Sequence, residues 1–207
     1  MQIGQTVRPL NLAEEIEMQS QHLKRLIANR GYTLIELLTA VAVMAVLASV
    51  AIPGMQNIVL DNRRVAATND FVYTMQLARS EAISRNQRVA VCASINGQAC
   101  ASQADWSAGW IMFNDINLDG NPSGGVETIL RYIEVKGDLD IFPVTFTGAY
   151  TYRPSGRIMG ATTAENNGEF VFCDRRGTEK ARVIVVANSG RPRLSKTRAN
   201  GSAPGCS

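Results

Sequence analysis

Histidine is almost absent from this chain: His22 is the only one, and it lies before a long apolar run. Imidazole-based activation of a serine or cysteine nucleophile is therefore excluded from everything beyond it. The four cysteines, Cys92, Cys100, Cys173 and Cys206, have no histidine near them and form no C-x-x-C pair. That spacing argues against a zinc centre. No phosphate loop or dinucleotide fingerprint occurs either. The sequence thus reads as a non-enzyme with no cofactor and no metal.

A third absence is local. Residues 37–60 carry no charge, enough helix to cross a bilayer core of about 30 Å. Lys24, Arg25 and Arg30 precede the run, a basic flank that stays in the cytoplasm. The segment is longer than the apolar part of a secretory signal, and no A-x-A-type cleavage site follows it. Glu36 sits just inside it, where a carboxylate costs roughly 2–3 kcal/mol unless something neutralises it. Met18 competes with Met1 as the start, since it keeps the whole basic flank.

What is present beyond the run is basic at one end. Residues 175–207 hold eight Lys or Arg against one acid, Glu179, although the whole chain is only +3. A basic tail on a mildly acidic body suits an anionic partner, or a solvated terminus. If the domain is exported, the even cysteine count suggests two disulfides. Of the three possible pairings, Cys92–Cys100 and Cys173–Cys206 are favoured.

Residues 32–52 read as a spanning helix, and Pro53-Gly54 as an interruption that bends it. Helical periodicity then resumes to about residue 86. Phe71, Met75, Ala78 and Ala82 form an apolar stripe, with Arg63, Arg64, Arg79 and Arg85 off it. From residue 87 the pattern changes to short strand-like runs: RVAVCAS, GWIMFND, ETILRYIE, IFPVTFT, GEFVFC and RVIVVAN. One long helix followed by antiparallel strands is an α+β layout. NDINLDGN starts like a calcium loop, but Val126 stands where the EF-hand glutamate belongs and Glu127 is one residue late. A hairpin turn of Asp, Asn and Gly explains residues 115–120 as well. Trp106 and Trp110 are expected in the core.

RGYTLIELL closely resembles the signal of type IV prepilins and type II secretion pseudopilins. LARSEAISRNQRVAVC, DWSAGWIMFND and ANSGRPRL resemble the GspH/FimT branch of that superfamily. The resemblance implies a pilin-like α+β fold, a long N-terminal transmembrane helix carrying an antiparallel β-sandwich. It implies four segments: a leader over 1–31, a transmembrane part over 32–52, an amphipathic periplasmic part over 53–86, and a β-rich GspH/FimT domain over 87–207. A dedicated prepilin peptidase would cut between Gly31 and Tyr32 and methylate the new N-terminus; phenylalanine is usual at that position. Glu36 would then be neutralised by the terminal ammonium of a neighbouring subunit, which fixes register in the filament. The protein would sit in the inner membrane with its domain in the periplasm, then join a pilus at or near the tip.

The branch contains FimT-like minor pilins that bind DNA in natural transformation, FimU-like ones that prime pilus assembly, and H-type pseudopilins of type II secretion. NSGRPRLSKTR matches the G-R-x-R pattern of the DNA-binding kind through Gly190, Arg191 and Arg193. In an extended segment two such arginines lie about 6–7 Å apart on one side, near the spacing of phosphates along a strand. Lys196 and Arg198 extend the set. Residues 175–207 hold no aromatic, so base stacking is not offered there. The expected mode is phosphate binding with little sequence preference.

Overall fold

The computed structural model describes residues 31–101, 105–122, 125–144, 148–159 and 168–206. The leader up to residue 30, with His22 and both candidate starts, lies outside the described residues. The chain divides into two compact units, the first ending at Pro53 and the second running from Gly54 to Ser207.

Helix α1 spans Leu34–Arg85. Its start is set by the T-x-x-E pattern of residues 33–36. The Thr33 hydroxyl accepts the Glu36 N–H at 3.2 Å, satisfying one donor that a helix leaves unpaired at its first turn. The Glu36 carboxylate also lies in that first turn, at the positive end of the helix dipole. Within α1 the most apolar window has mean hydropathy 2.4 and none of it is buried, so the helix is long and apolar enough to cross a membrane. The interruption expected at Pro53 does not end the helix, which contains that proline. A proline deletes one backbone hydrogen bond, and the remaining turns on both sides persist.

In the second unit the expected stripe is observed: Phe71, Met75, Ala78 and Ala82 are all fully buried. Among the described residues nine strands follow: β1 Val89–Ala93, β2 Gly109–Asn114, β3 Ile129–Glu134, β4 Leu139–Pro143, β5 Tyr150–Tyr152, β6 Ile158–Met159, β7 Gly168–Asp174, β8 Arg182–Val186 and β9 Pro192–Ser195. They form two antiparallel sheets, ordered β3-β2-β1-β5-β6 and β4-β7-β8-β9. One core joins the α1 stripe to Val89, Val91 and Tyr152 of the first sheet and to Phe170, Phe172 and Ile184 of the second. Phe71 lies at its centre, 4.5 Å from the Phe170 ring centroid and 5.1 Å from that of Trp110. Trp106 and Trp110 are fully buried as expected, and the Trp110 indole N–H is satisfied by the Thr74 hydroxyl at 3.1 Å.

The outer faces are covered too, which is why β1, β2 and β7 are buried at every position instead of alternating. Cys92 bonds to Cys100, with Cα atoms 5.6 Å apart, and Cys173 to Cys206, at 5.9 Å. Both favoured pairings are therefore present. The first closes a loop over the outside of β1. The second brings the end of the chain onto Val171, Val183 and Val185.

Candidate nucleic-acid interface

Strand β9 is an edge strand with Pro192 as its first residue, a place where a missing N–H costs no sheet bond. It is joined to β8 by a tight turn over residues 187–191. The Gly190 N–H donates to the Ala187 carbonyl at 2.8 Å, and the Ala187 N–H to the Arg191 carbonyl at 3.2 Å. Gly190 has φ 76°, so this is a three-residue hairpin loop closed by a left-handed residue. A side chain there is doubly excluded. Its Cβ would overlap the Gly156 carbonyl oxygen and lie 2.8 Å from the Tyr152 ring.

Two side chains fix this turn from below. The Tyr152 hydroxyl donates to the Gly190 carbonyl at 3.1 Å. Arg79 of α1 donates through Nε to the Ser189 carbonyl at 3.3 Å and to the Gly156 carbonyl at 3.0 Å. Burial pushes the Tyr152 phenol above its ordinary range, so it stays a neutral donor. Above the turn, Gln76, Arg79, Gly190, Arg191 and Pro192 line a groove of about 300 Å³.

The sequence-predicted residues are only partly brought together. Arg191 and Arg193 are exposed, the latter opposite Val185 in the β8–β9 register. Lys196 is exposed where the chain leaves the strand. Among the described residues none of these three forms an ion pair. Arg198 differs: its Nε donates to Glu169 at 3.1 Å, and the Ala199 N–H reaches the other oxygen of that carboxylate at 2.9 Å. Arg198 is thus half-buried against the sheet instead of prolonging the row.

Two other arginines of the tail are engaged elsewhere. Arg175 donates to Gln56 at 3.2 Å. Arg176 holds Asp174 through two nitrogens, at 2.9 and 2.7 Å, and Asp61 at 2.8 Å. Arg64, expected off the apolar stripe, is 4% exposed. It pairs with Asp61 at 2.7 Å and Asp174 at 3.6 Å, and donates to the Lys180 carbonyl. Hydrogen bonds from Arg176, followed by the nearby arginine charges, hold both carboxyls below their usual range. Burial lowers Arg64. The missed signal was positional: Arg64 stands seven residues before Phe71, two turns along the same face.

The turn after β2 gathers Asp115, Asp119 and Glu127, with ligand oxygens within 4.8 Å of one another. Glu127, one residue late for an EF-hand, accepts the Ile116 and Asn117 N–H groups at 2.8 and 3.2 Å. Asp115 accepts the Gly120 N–H at 3.3 Å; burial, then the charges of Glu127 and Asp119, raise its pKa. Such oxygens suit a hard cation, yet the bonds they make to the loop's own amides account for the cluster without one.

Residues 67–190 match the family described as Type II transport protein GspH, and residues 27–52 the prokaryotic N-terminal methylation motif. The first match covers more than half of the chain, which therefore belongs to the GspH family. It is a minor pilin or pseudopilin of the GspH type. Among solved structures, the type IV minor pilin FimU of Pseudomonas aeruginosa aligns with TM-score 0.50 and 21% identity, over 69% of this chain and 93% of that one. The minor pseudopilin EpsH of the Vibrio cholerae type 2 secretion system aligns with TM-score 0.45 and 13% identity, over 72% and 99%. The FimU likeness shows a shared pilin-like fold. No curated protein matches the chain.

Proposed function

We propose that this chain is a minor type IV pilin that binds DNA through its phosphates during uptake in natural transformation. The observation that carries this reading is a hairpin turn and its edge strand presenting Arg191 and Arg193, with Lys196 beyond them, all exposed and without ion pairs among the described residues. Arginine suits this task because its rigid fork matches two phosphate oxygens. Arg198 is a lesser contributor, being held by Glu169. Each contact is weak, and several copies on one filament add avidity.

The test is duplex DNA binding by the full-length protein in nonionic detergent, across a salt series. Three phosphate contacts from β9 and its exit give a slope of log K against log salt of at least about −2.7 in magnitude. Arg191→Gln with Arg193→Gln should flatten it by about 1.8. Absence of binding at low salt would sink the DNA reading in favour of a structural pilin that primes assembly. Lost exoprotein secretion with transformation intact, on deleting the protein, would instead favour an H-type pseudopilin.

The same reading places the domain in the periplasm, anchored in the inner membrane before entry into a pilus near its tip. Prepilin peptidase cuts between Gly31 and Tyr32, and Glu36 then meets the terminal ammonium of an adjoining pilin subunit. Glu36→Ala should leave the protein in the membrane fraction and remove it from sheared pili. Normal recovery of that variant in filaments would discard the pairing.

A further inference from the structure

The sequence Ser-Gly-Arg occurs twice at hairpin turns, at residues 155–157 between β5 and β6 and at 189–191 between β8 and β9. The two turns share one design. In the first, the Gly156 N–H donates to the Arg153 carbonyl at 2.8 Å and the Arg153 N–H to the Arg157 carbonyl at 2.8 Å. These are the bonds made by Gly190, Ala187 and Arg191 in the second. Gly156 has φ 73° and Gly190 φ 76°. Each sheet thus sends one such turn to the same end of the domain.

The turns are in contact. A Cβ on Gly190 would run into the Gly156 carbonyl, and one on Gly156 would lie 3.1 Å from an Arg79 guanidinium nitrogen. Arg79 Nε bridges them by donating to carbonyls of both. Arg157 and Arg191 each follow one of these touching glycines. Each arginine Cα therefore lies only about 3.8 Å from that of its own glycine. Both are exposed, as are Arg153 and Arg193. No ion pair involves any of the four among the described residues. The groove beside Arg79 is lined by Gly190, Arg191 and Pro192 of the second turn.

We propose that the β5–β6 turn is the second half of the anion-binding surface: Arg153 and Arg157 grip phosphates of the same DNA that Arg191 and Arg193 hold. This rests on the DNA-binding reading and widens the site from one edge strand to paired turns from two sheets. Four exposed arginines on two touching turns, with no ion pair to any of them among the described residues, repel one another unless an anion covers them. A polyphosphate backbone supplies anions at that density.

The test uses full-length protein in nonionic detergent, a mixed-sequence duplex of 30 base pairs as probe, and the same salt series. Arg153→Gln with Arg157→Gln keeps every bond the turn makes, because those bonds are main-chain. With five contacts in the wild type the slope is about −4.5, and this variant brings it to about −2.7. Arg153→Lys with Arg157→Lys should stay near the wild-type slope. Lys136→Gln should leave the slope unchanged: Gly137 abuts Arg63, sixteen residues or about 24 Å along α1 from Arg79. A wild-type slope in the double glutamine variant, with flattening by Arg191→Gln and Arg193→Gln, overturns the composite surface and leaves the β9 reading standing. No binding by the wild type, or no effect of the β9 variant, overturns both. Equal loss from Lys136→Gln overturns the composite surface by showing a diffuse charge effect.

Discussion

Arg64 with Arg176 and Arg191 with Arg193 are two arginine pairs in one small domain, and they face opposite circumstances. The first pair meets two carboxylates, Asp61 and Asp174, so its charges cancel locally. It ties the start of the domain part of α1 to the end of β7. The second pair meets no carboxylate among the described residues and leans on a turn held by Tyr152 and Arg79. A guanidinium with its acid beside it is structural. One placed in the open on a rigid turn is poised for an external anion. Under the proposed function the same residue type does both jobs, and only its neighbours separate them.

That contrast can be broken by experiment. Asp174→Ala takes a carboxylate from the buried Arg64 and leaves Arg176 without its two-nitrogen partner. A loss of about 3 kcal/mol is expected in chemical denaturation; under about 1 kcal/mol, the network would be solvated after all. Acidification attacks the same pair more gently. Asp61 and Asp174 have folded pKa values below the 3.8 of an ordinary aspartate, so their stabilisation is complete above that value. It is lost as pH falls through the depressed folded values. Melting temperature should therefore drop below about pH 4, and less steeply in Asp174→Asn. The smallest effect belongs to the exposed pair: Arg191→Gln with Arg193→Gln should change stability by no more than about 0.5 kcal/mol. A larger loss would mean that these arginines are structural too.

Much of the fold was legible in the chain because its largest signals are physical extremes. An uncharged run over 37–60, a four-three-four stripe through Phe71 and a remainder of short strand-like runs each allow few solutions. Strands β5, β6 and β9 were not picked out. With three, two and four residues, they are too short to show a period of two. For the candidate site, Gly190, Arg191 and Arg193 stood out in sequence. Arg79, Tyr152 and the β5–β6 turn did not, because only the folded chain brings residues 79, 152–157 and 187–191 together. The ion pair of Arg198 with Glu169, 29 residues apart, was hidden for the same reason.

The Cys173–Cys206 bond has a consequence for how the domain tolerates cutting. It makes residues 173–206 a covalent ring holding β8, β9 and every basic residue assigned to the proposed surface except Arg153 and Arg157. Lys196, Thr197 and Ala199 are exposed, a natural place for trypsin to nick. A single nick there opens the ring without freeing either piece, so β9 stays moored to β8. The nicked chain should migrate whole on a non-reducing gel and fall into two fragments only after thiol is added. The domain thus loses a peptide bond and still keeps its arginines in place.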